Sequence, residues 1–434
     1  MLEPFRGGPD AAPLKIRLPS GLTLLAEEAP WLQGVSLGLF VRAGVVDEPE
    51  GQAGIAHLLE HLVFRGTQAY AGDELSARID EDGGELNAYT TKEYTCLWGR
   101  TLPQGLRGFL EMLAELFLRP RLGQRDLRRE VDVIAEEYQI WLQSPEEYVC
   151  DLLEAEVFAG GLLARSVLGE PDEFGAIDAR AVRDFHATAW RLERAVLAVA
   201  GPFDRAELRR TVEEFFPPQA PPPAAVRRRR HGPGPAAPPV AQAAQVHVAV
   251  GGRARSLGDP GLAVQEMVVQ EFGGGPNARL FMRLREELAL SYGVYSYDTA
   301  YRLGGMWAAY ADLPQDSLQE GLRAIAEEAA DLRRQRWHPR DVERVRRSAR
   351  GGFLLSLDAP FARVEREALQ ILQLGRSESV EEEMARIASV EGEHLRQEAG
   401  LILEPEAWHV VVLHPDRGLM KGRFTDILKW EGAK

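Results

Sequence analysis

Hydrophobic and polar positions along the chain follow two recurring patterns, one typical of strands and the other of helices. Short apolar runs predict buried strands, and stretches whose apolar residues recur three to four positions apart predict amphipathic helices. The predicted strands are 35–41, 95–98 and 195–200, then 246–250, 292–297, 306–310 and 408–413. Helical spacing is clear over 126–142, 317–333 and 339–355, and Asp126 is expected to cap the first of these helices.

A stretch that favours neither a helix nor a central strand separates the two sets of strands. Residues 217–239 read PPQAPPPAAVRRRRHGPGPAAPP, and proline lacks the backbone donor that both structures need. We therefore predict two domains, at 1–216 and 245–434, joined by a linker at 217–244. Strands and long helices follow a similar order in both, which indicates a duplication. The predicted fold class is α+β, with two similar domains, each a largely antiparallel sheet packed with helices.

Length and composition fit a folded two-domain protein outside the membrane. The chain has 434 residues, of which 45% are hydrophobic and 27% charged, as in ordinary globular proteins. No run approaches the roughly 18 apolar residues of a membrane span, and the first residues lack the pattern of a secretory signal. Only Cys96 and Cys150 are present, and we expect them to be small buried hydrophobes in a reducing compartment. A cytoplasmic location is therefore expected.

The charge balance argues against nucleic acid as a partner. Lys plus Arg is 51 and Asp plus Glu is 66, which gives a formal net charge of −15. The cationic run at 227–230 lies inside the linker and is interpreted as a solvated segment rather than an anion-binding patch. This balance favours basic peptides over nucleic acid as ligands.

The residues best suited to chemistry lie in the sequence GIAHLLEHLVF at 54–64. On a helix, His57 and His61 lie about 40° apart around the axis, so their imidazoles can share a metal ion. Neutral imidazole suits zinc, and a catalytic zinc keeps an open position beside three protein ligands. Glu60 lies on the same side and can take the proton of the attacking water as a general base. Chance can also bring these residues together, so a third ligand is needed.

The candidate third ligands lie in the predicted helix RREVDVIAEEYQIW at 128–141. Glu130 and Glu137 are seven residues apart and face the same way, whereas Glu136 points elsewhere. Spacing alone does not choose between Glu130 and Glu137.

Two other segments carry residues that suit peptide binding. The sequence GGELNAYTTKEYT at 83–95 predicts a hairpin with an exposed edge, to which an extended peptide can add through main-chain hydrogen bonds. An ordinary surface strand explains the same pattern. Arg285 and Tyr292 lie at a predicted helix–strand junction, and taken alone they are a surface arginine and a strand tyrosine. The glycines at 273–275 fit neither a P-loop nor a dinucleotide fingerprint.

The order H-x-x-E-H is an inverted zinc motif, and the chain resembles the pitrilysin/insulinase family of metallopeptidases, in its short two-domain, processing-peptidase-like type. The resemblance spans nearly the whole chain. It rests on HLLEHLVFRGT at 57–67, ELNAYTTKEYT at 85–95, REVDVIAEE at 129–137 and GGGPNARLFMRLREELALSYGVYS at 273–296. One departure is GGLLARSVLGEP at 160–171, where relatives commonly show a His-Pro-Leu-Gly type of sequence and this chain lacks both the His and the Pro. We expect that change to affect packing or specificity more than catalysis.

The resemblance implies the metal ligands. It makes Glu137 the third ligand of one Zn²⁺ per chain, beside His57 and His61. The glutamate that matches Glu130 orients the ligands without binding the metal itself.

The resemblance also implies how the substrate is held. Asn87 and Ala88 are expected to lie along the substrate strand. Arg285 and Tyr292 match a pair that holds the substrate main chain and supports the oxyanion near zinc.

The implied function is that of a zinc-dependent endopeptidase that cleaves oligopeptides or unfolded segments inside a chamber formed by two chains. The partner is expected to be a second copy of this chain or a related subunit. An alternative is a non-catalytic structural subunit of the same fold, since the family includes core proteins without the chemistry. Such subunits usually lose a ligand or the base, and this chain retains them. A zinc-binding scaffold without peptidase activity is a further alternative.

Overall fold

The structure, a computed structural model, describes residues 13–81, 83–221 and 243–429. The helices are α1 Ile55–Val63, α2 Gly72–Glu81, α3 Leu106–Leu118, α4 Gln124–Leu142, α5 Pro145–Val157, α6 Ala179–Ala189, α7 Arg205–Phe215, α8 Leu262–Gly273, α9 Leu318–Arg334, α10 Pro339–Ser356, α11 Pro360–Leu374, α12 Val380–Ser389, α13 Gly392–Ile402 and α14 Phe424–Leu428. The strands are β1 Leu14–Arg17, β2 Thr23–Glu28, β3 Val35–Val41, β4 Glu85–Thr90, β5 Thr95–Thr101, β6 Ala195–Gly201, β7 Val246–Ala254, β8 Val294–Tyr301, β9 Gly304–Leu313, β10 His409–His414 and β11 Gly418–Arg423. The cationic run at 227–230 and most of the predicted linker lie outside the described residues.

The chain forms two compact units, and neither is contiguous in sequence. The first unit comprises Met1–Ile134, Val167–Arg229 and Leu355–Glu378, and the second comprises Ala135–Ser166, Arg230–Leu354 and Ser379–Lys434. Each unit therefore includes a segment from the other half of the chain, in addition to the residues on its own side of the predicted linker. The boundary at residues 134 and 135 falls inside α4, which is one continuous helix.

The central strands of the first unit's sheet are buried on both faces. Its strand order is β1-β2-β6-β3-β5-β4, and only the pairing of β2 with β6 is parallel. In β6, Leu197 and Val199 pack into a core that includes α1 and α3, whereas Val196 and Ala198 pack with Val364 of α11 on the opposite face. A strand with two buried faces needs a continuous apolar run, which explains the sequence AVLAVA at 195–200.

The sheet of the second unit has the order β11-β10-β7-β9-β8 and is antiparallel throughout. Helix α5 packs against β7 and β10, and α8 packs against β8. The two sheets confirm the α+β class with two similar, largely antiparallel domains.

The strands predicted from the apolar runs agree with the structure in position and differ mainly at their ends. Strand β3 covers the predicted 35–41, whereas β9 extends beyond the predicted 306–310 at both ends. The predicted cap of α4 is wrong, because the helix begins at Gln124 and Asp126 lies within its first turn. In the described part of the chain, every helix is too short or too polar to cross a membrane.

The start of α1 depends on two glycines in close contact. Gly54 precedes the helix with φ of 93°, in the left-handed region. A Cβ at this position would lie 2.6 Å from Cε1 of Phe174 and 3.0 Å from Cα of Gly169, which leaves no room for a side chain. Gly169 belongs to the segment 160–171, so this segment packs against the start of α1. The entry into α1 is therefore tightly specified.

We predict that Gly54→Ala lowers the free energy of unfolding by about 2 kcal/mol or more, because left-handed strain adds to the steric overlap. The matched control is Gly51→Ala, since Gly51 has φ of 73° and a Cβ at this position would meet no atom within 4 Å. That control carries the backbone strain alone. Thermal and denaturant unfolding of both variants measure the difference, and equal losses would contradict the packing argument.

Candidate metal centre

Helix α1 places its chemically active residues on the side that faces away from the core. The buried residues of the helix are Ile55, Ala56, Leu58, Leu59, Leu62 and Val63. His57, Glu60 and His61 occupy the remaining positions of the helix and are partly exposed. The three- and four-residue spacing therefore separates an apolar face from a polar one, as the sequence predicts.

The two imidazoles point at each other. Nε2 of His57 lies 3.2 Å from Nε2 of His61, and the ring planes meet at 85°. Two nitrogens bound to one tetrahedral zinc at about 2.0–2.1 Å lie about 3.3 Å apart. Burial, together with the neighbouring charge of His61, lowers the pKa of His57 to about 4, so this imidazole is neutral at pH 7 and its lone pair is available. The two nitrogens therefore have the spacing that a zinc ion requires, and His57 has the required neutral state.

Glu137 completes a group of three possible ligands. One possible ligand atom from each of His57, His61 and Glu137 lies within 4.8 Å of the other two. Among the described residues, these three form the group that could hold a metal ion. Helix α4 carries Glu137 on the same stripe as its buried residues Leu127, Glu130 and Ile134. A His₂Glu donor set with nitrogen and carboxylate oxygen fits catalytic zinc, which keeps a further position open.

Glu130 contacts His61 from the side of the ring opposite His57, unlike Glu137. Its side chain is 1% exposed, and Oε2 lies 3.2 Å from Nδ1 of His61, the nitrogen on the far side of the ring from His57. A proton on Nδ1 donated to this carboxylate leaves Nε2 as the free lone pair. Nε of Arg65 lies 2.5 Å from the other carboxylate oxygen of Glu130 and pairs with its charge. Glu130 therefore contacts the side of the His61 ring that faces away from His57.

Glu48 was not expected from the sequence. It is wholly buried, and its Oε1 accepts hydrogen bonds from the backbone N–H of Gly54 at 3.0 Å and of Ala56 at 3.2 Å. These donors at the start of α1 have no partners within the helix, and a carboxylate also suits the positive end of the helix dipole. Glu48 thus anchors the helix that carries both histidines. Its signal in the sequence is weak: an acidic residue shortly before a predicted helix.

The residues expected to hold the substrate lie at exposed or partly exposed positions, two in each unit. Asn87 is exposed and Ala88 is partly buried on β4, the last strand at one side of the first sheet. In the second unit, the structure brings Arg285 and Tyr292 together, with the guanidinium 4.5 Å from the tyrosine ring centre and Nη1 donating to the Tyr292 carbonyl at 3.1 Å. Tyr292 itself is open to solvent, with 78% of its surface exposed.

Comparison with known protein families supports the motifs. Residues 23–171 match the family model described as insulinase (peptidase family M16), and residues 176–349 match the model described as the peptidase M16 inactive domain. The two models together span well over half of the chain. The chain belongs to the insulinase family of peptidases.

Relatives in this family align over most of their length. An uncharacterized zinc protease from Mycobacterium bovis is 29% identical over 398 residues, which cover 90% of this chain and 91% of the relative. The mitochondrial-processing peptidase subunit beta of Saccharomyces cerevisiae is 26% identical over 392 residues, covering 86% and 85%. The crystal structure of a peptidase M16 inactive domain from Pseudomonas fluorescens has the same fold, with a TM-score of 0.82, 18% identity and coverage of 93% and 98%.

The two family models cover different candidate residues. The group His57, His61 and Glu137 lies within the range matched by the first model, and Arg285 and Tyr292 lie within the range matched by the inactive domain. The inactive-domain model therefore describes the part of the chain without the metal-binding group.

We predict that Glu137→Gln weakens zinc binding far more than Glu130→Gln. Loss of a carboxylate that only orients a ligand typically costs about 10- to 100-fold in metal affinity, and loss of a charged ligand costs more. The two glutamates share one helix, so each variant is the matched control of the other. Competition with a fluorescent chelator measures both affinities. A larger loss for Glu130→Gln would reverse the two assignments.

Proposed function

We propose that the protein is a zinc-dependent endopeptidase in which His57, His61 and Glu137 hold one Zn²⁺ per chain. The observation that carries this proposal is the pair of imidazole nitrogens 3.2 Å apart with a carboxylate in reach. When bound, zinc supplies Lewis acidity that makes water a competent nucleophile near neutral pH. The similarity to relatives named zinc proteases supports the same metal and the same class of reaction.

Glu60 is assigned the role of general base. It follows His57 by three residues and precedes His61 by one on the polar side of α1. A carboxylate there accepts the proton of the attacking water as the carbonyl carbon is approached. Glu60 is not needed as a ligand, because His57, His61 and Glu137 already supply three.

The substrate is assigned to the exposed side of β4. An extended peptide that adds to this edge makes main-chain hydrogen bonds, which are largely indifferent to its side chains, and it passes along Asn87 and Ala88. Such binding selects flexible peptides or unfolded segments, because a folded protein has few free extended stretches. The net charge of −15 favours basic peptides.

Arg285 and Tyr292 are assigned to the substrate main chain and to the oxyanion that forms as water attacks. A fixed cation and a phenolic donor suit a position where negative charge develops. In our proposal these residues act at the metal centre of a partner chain, within a chamber formed by two chains. The partner is a second copy or a related subunit, and the similarity to a protein named as a subunit of a processing peptidase supports such pairing. Cys96 and Cys150 are both free thiols, which is compatible with the proposed cytoplasmic location.

The alternatives are a non-catalytic structural subunit and a zinc-binding scaffold. A structural subunit has no need to keep Glu60 beside two histidines and a carboxylate, and this chain keeps all four. A scaffold has no need of a base. Retention of Glu60 therefore favours the peptidase. Hydrolysis of a fluorogenic peptide that a chelator abolishes separates the peptidase from both alternatives.

We predict that Glu60→Gln keeps zinc and loses hydrolysis by at least about a hundredfold in kcat, because the amide preserves the shape and cannot accept the proton of water. His61→Ala is the contrasting variant and is expected to lose the metal. Zinc per chain and the rate of peptide cleavage are measured on the same preparations. Near-normal turnover by zinc-loaded Glu60→Gln would remove Glu60 from the mechanism.

We predict that two inactive variants restore activity when mixed, if the protein is a homodimer. Glu60→Gln and Tyr292→Phe are each expected to be nearly inactive. In a mixed dimer, one site joins the intact Glu60 of one chain to the intact Tyr292 of the other. Random exchange makes half of the dimers mixed with one good site of two, so about a quarter of wild-type activity returns if the sites are independent.

The control for this mixing experiment shows that subunits exchange. Mass spectrometry of the intact dimers, with a different tag on each variant, measures the fraction of mixed dimers. Verified exchange without any recovery would refute a site shared between chains. The zinc assignment would stand in that case, because it depends on residues of one chain.

A further inference from the structure

A cavity of about 890 Å³ lies within the second unit, and none of the residues assigned to peptide cleavage lines it. Its walls come from the end of α5, the end of β7, the turn between β8 and β9, the end of α13 and the outer ends of β10 and β11. This volume is in the range of pockets that hold small molecules, roughly 300–1,000 Å³. None of the assigned roles in the proposed peptidase uses it.

The register of three neighbouring strands brings two arginines and a histidine to one face at this cavity. His409 of β10 pairs with Gly251 of β7 on one side and with Arg423 of β11 on the other. Directly paired residues point to the same face of a sheet, and Arg253 lies two residues beyond Gly251 and therefore on that face as well. Arg253, His409 and Arg423 all line the cavity.

The other charges around the cavity are largely balanced by partners. Arg255 donates to both carboxylate oxygens of Glu398, at 2.8 and 2.6 Å, and to Asp259 at 2.8 Å. Glu156, the acid at the end of α5, lies 2.6 Å from Nζ of Lys421. These pairs leave the positive charges of Arg253 and Arg423 to dominate the cavity.

Arg253 and Arg423 are held in place without carboxylate partners. The guanidinium of Arg253 lies 4.4 Å above the ring centre of Phe158, and Nη1 of Arg423 donates to the Ala407 carbonyl at 3.2 Å. Within 13–81, 83–221 and 243–429, neither arginine forms an ion pair with an acid. Burial, then the charge of Arg423, lowers the pKa of His409, with Glu156 acting in the opposite direction. Both arginines retain donors that suit a phosphate or carboxylate.

A purely structural role accounts for only part of this arrangement. The end of α5 carries the negative end of its helix dipole, which attracts a cation such as Arg253. Attraction to a helix end does not need an open cavity or a second arginine on β11. Arg253 and Arg423 stand on strands that are two apart in the sheet, and such strands are separated by about 10 Å. Both side chains line the same cavity, so one molecule with two separated anionic groups can meet both.

We propose that this cavity binds a small molecule with two separated anionic groups, phosphate or carboxylate, one held by Arg253 and the other by Arg423. The ligand class follows from the donors of the two guanidinium groups and from the volume of the cavity that both of them line. The site is independent of the metal centre, and neither assignment requires the other.

The test is calorimetric titration of the zinc-loaded protein with two probes, inorganic tripolyphosphate and the eight-carbon dicarboxylate suberate. Saturable binding of at least one probe with a Kd below about 1 mM is expected, and each of Arg253→Ala and Arg423→Ala weakens it at least tenfold. The stronger probe tells whether phosphate or carboxylate is preferred. Zinc content measured after each titration excludes heat from removal of the metal.

The matched control is Arg396→Ala, which removes an exposed arginine of the same unit that pairs with Glu393 and does not line the cavity. It should leave the Kd of both probes unchanged. Thermal unfolding checks that every variant is folded. Absence of saturable binding of both probes, or binding that Arg253→Ala and Arg423→Ala leave unchanged, would overturn the proposal and leave the arginines as partners of the α5 end.

Discussion

The repulsion between two closely facing imidazole lone pairs is the constraint on which the candidate site depends. His57 and His61 are held with their Nε2 atoms 3.2 Å apart, a separation that is favourable only if a proton or a metal ion lies between them. One helix turn sets their separation, and the surrounding structure sets their orientation. Glu130 binds the far nitrogen of His61, and Glu48 holds the first turn of α1.

The buried sheet of the first unit explains how this helix is held. The apolar face of α1 packs into the core of the first unit, where the helix contacts β4 and α6. The start of α1 fits against Gly169 with no space for a side chain at Gly54. On the opposite face of the sheet, α11 covers Phe40 and Cys96 with Val364 and other apolar residues. Because the central strands are covered on both faces, their positions are fixed by packing on both sides.

Local patterns in the sequence predicted the helices and strands and the spacing of residues within one helix. The four-residue spacing of His57 and His61 is a property of one helix, and apolar runs such as 195–200 identify strands wherever they are later placed. Spacing could not tell which of Glu130 and Glu137 is the candidate metal ligand, because both lie on one side of α4. Only their positions relative to the histidines of α1 distinguish them. An amphipathic pattern shows that α11 buries a face, and it does not show which sheet receives it. Glu48 escaped notice for the same reason, since a loop acid becomes a helix anchor only through tertiary contact.

The central claim is that His57, His61 and Glu137 bind one zinc ion in each chain. Anomalous diffraction at the zinc edge, from crystals of the purified protein loaded with zinc, tests it most directly. The account predicts one anomalous peak per chain, about 2.0–2.2 Å from Nε2 of both histidines and from a carboxylate oxygen of Glu137. A peak coordinated by Glu130 in place of Glu137, or no peak between the two histidines, would contradict it.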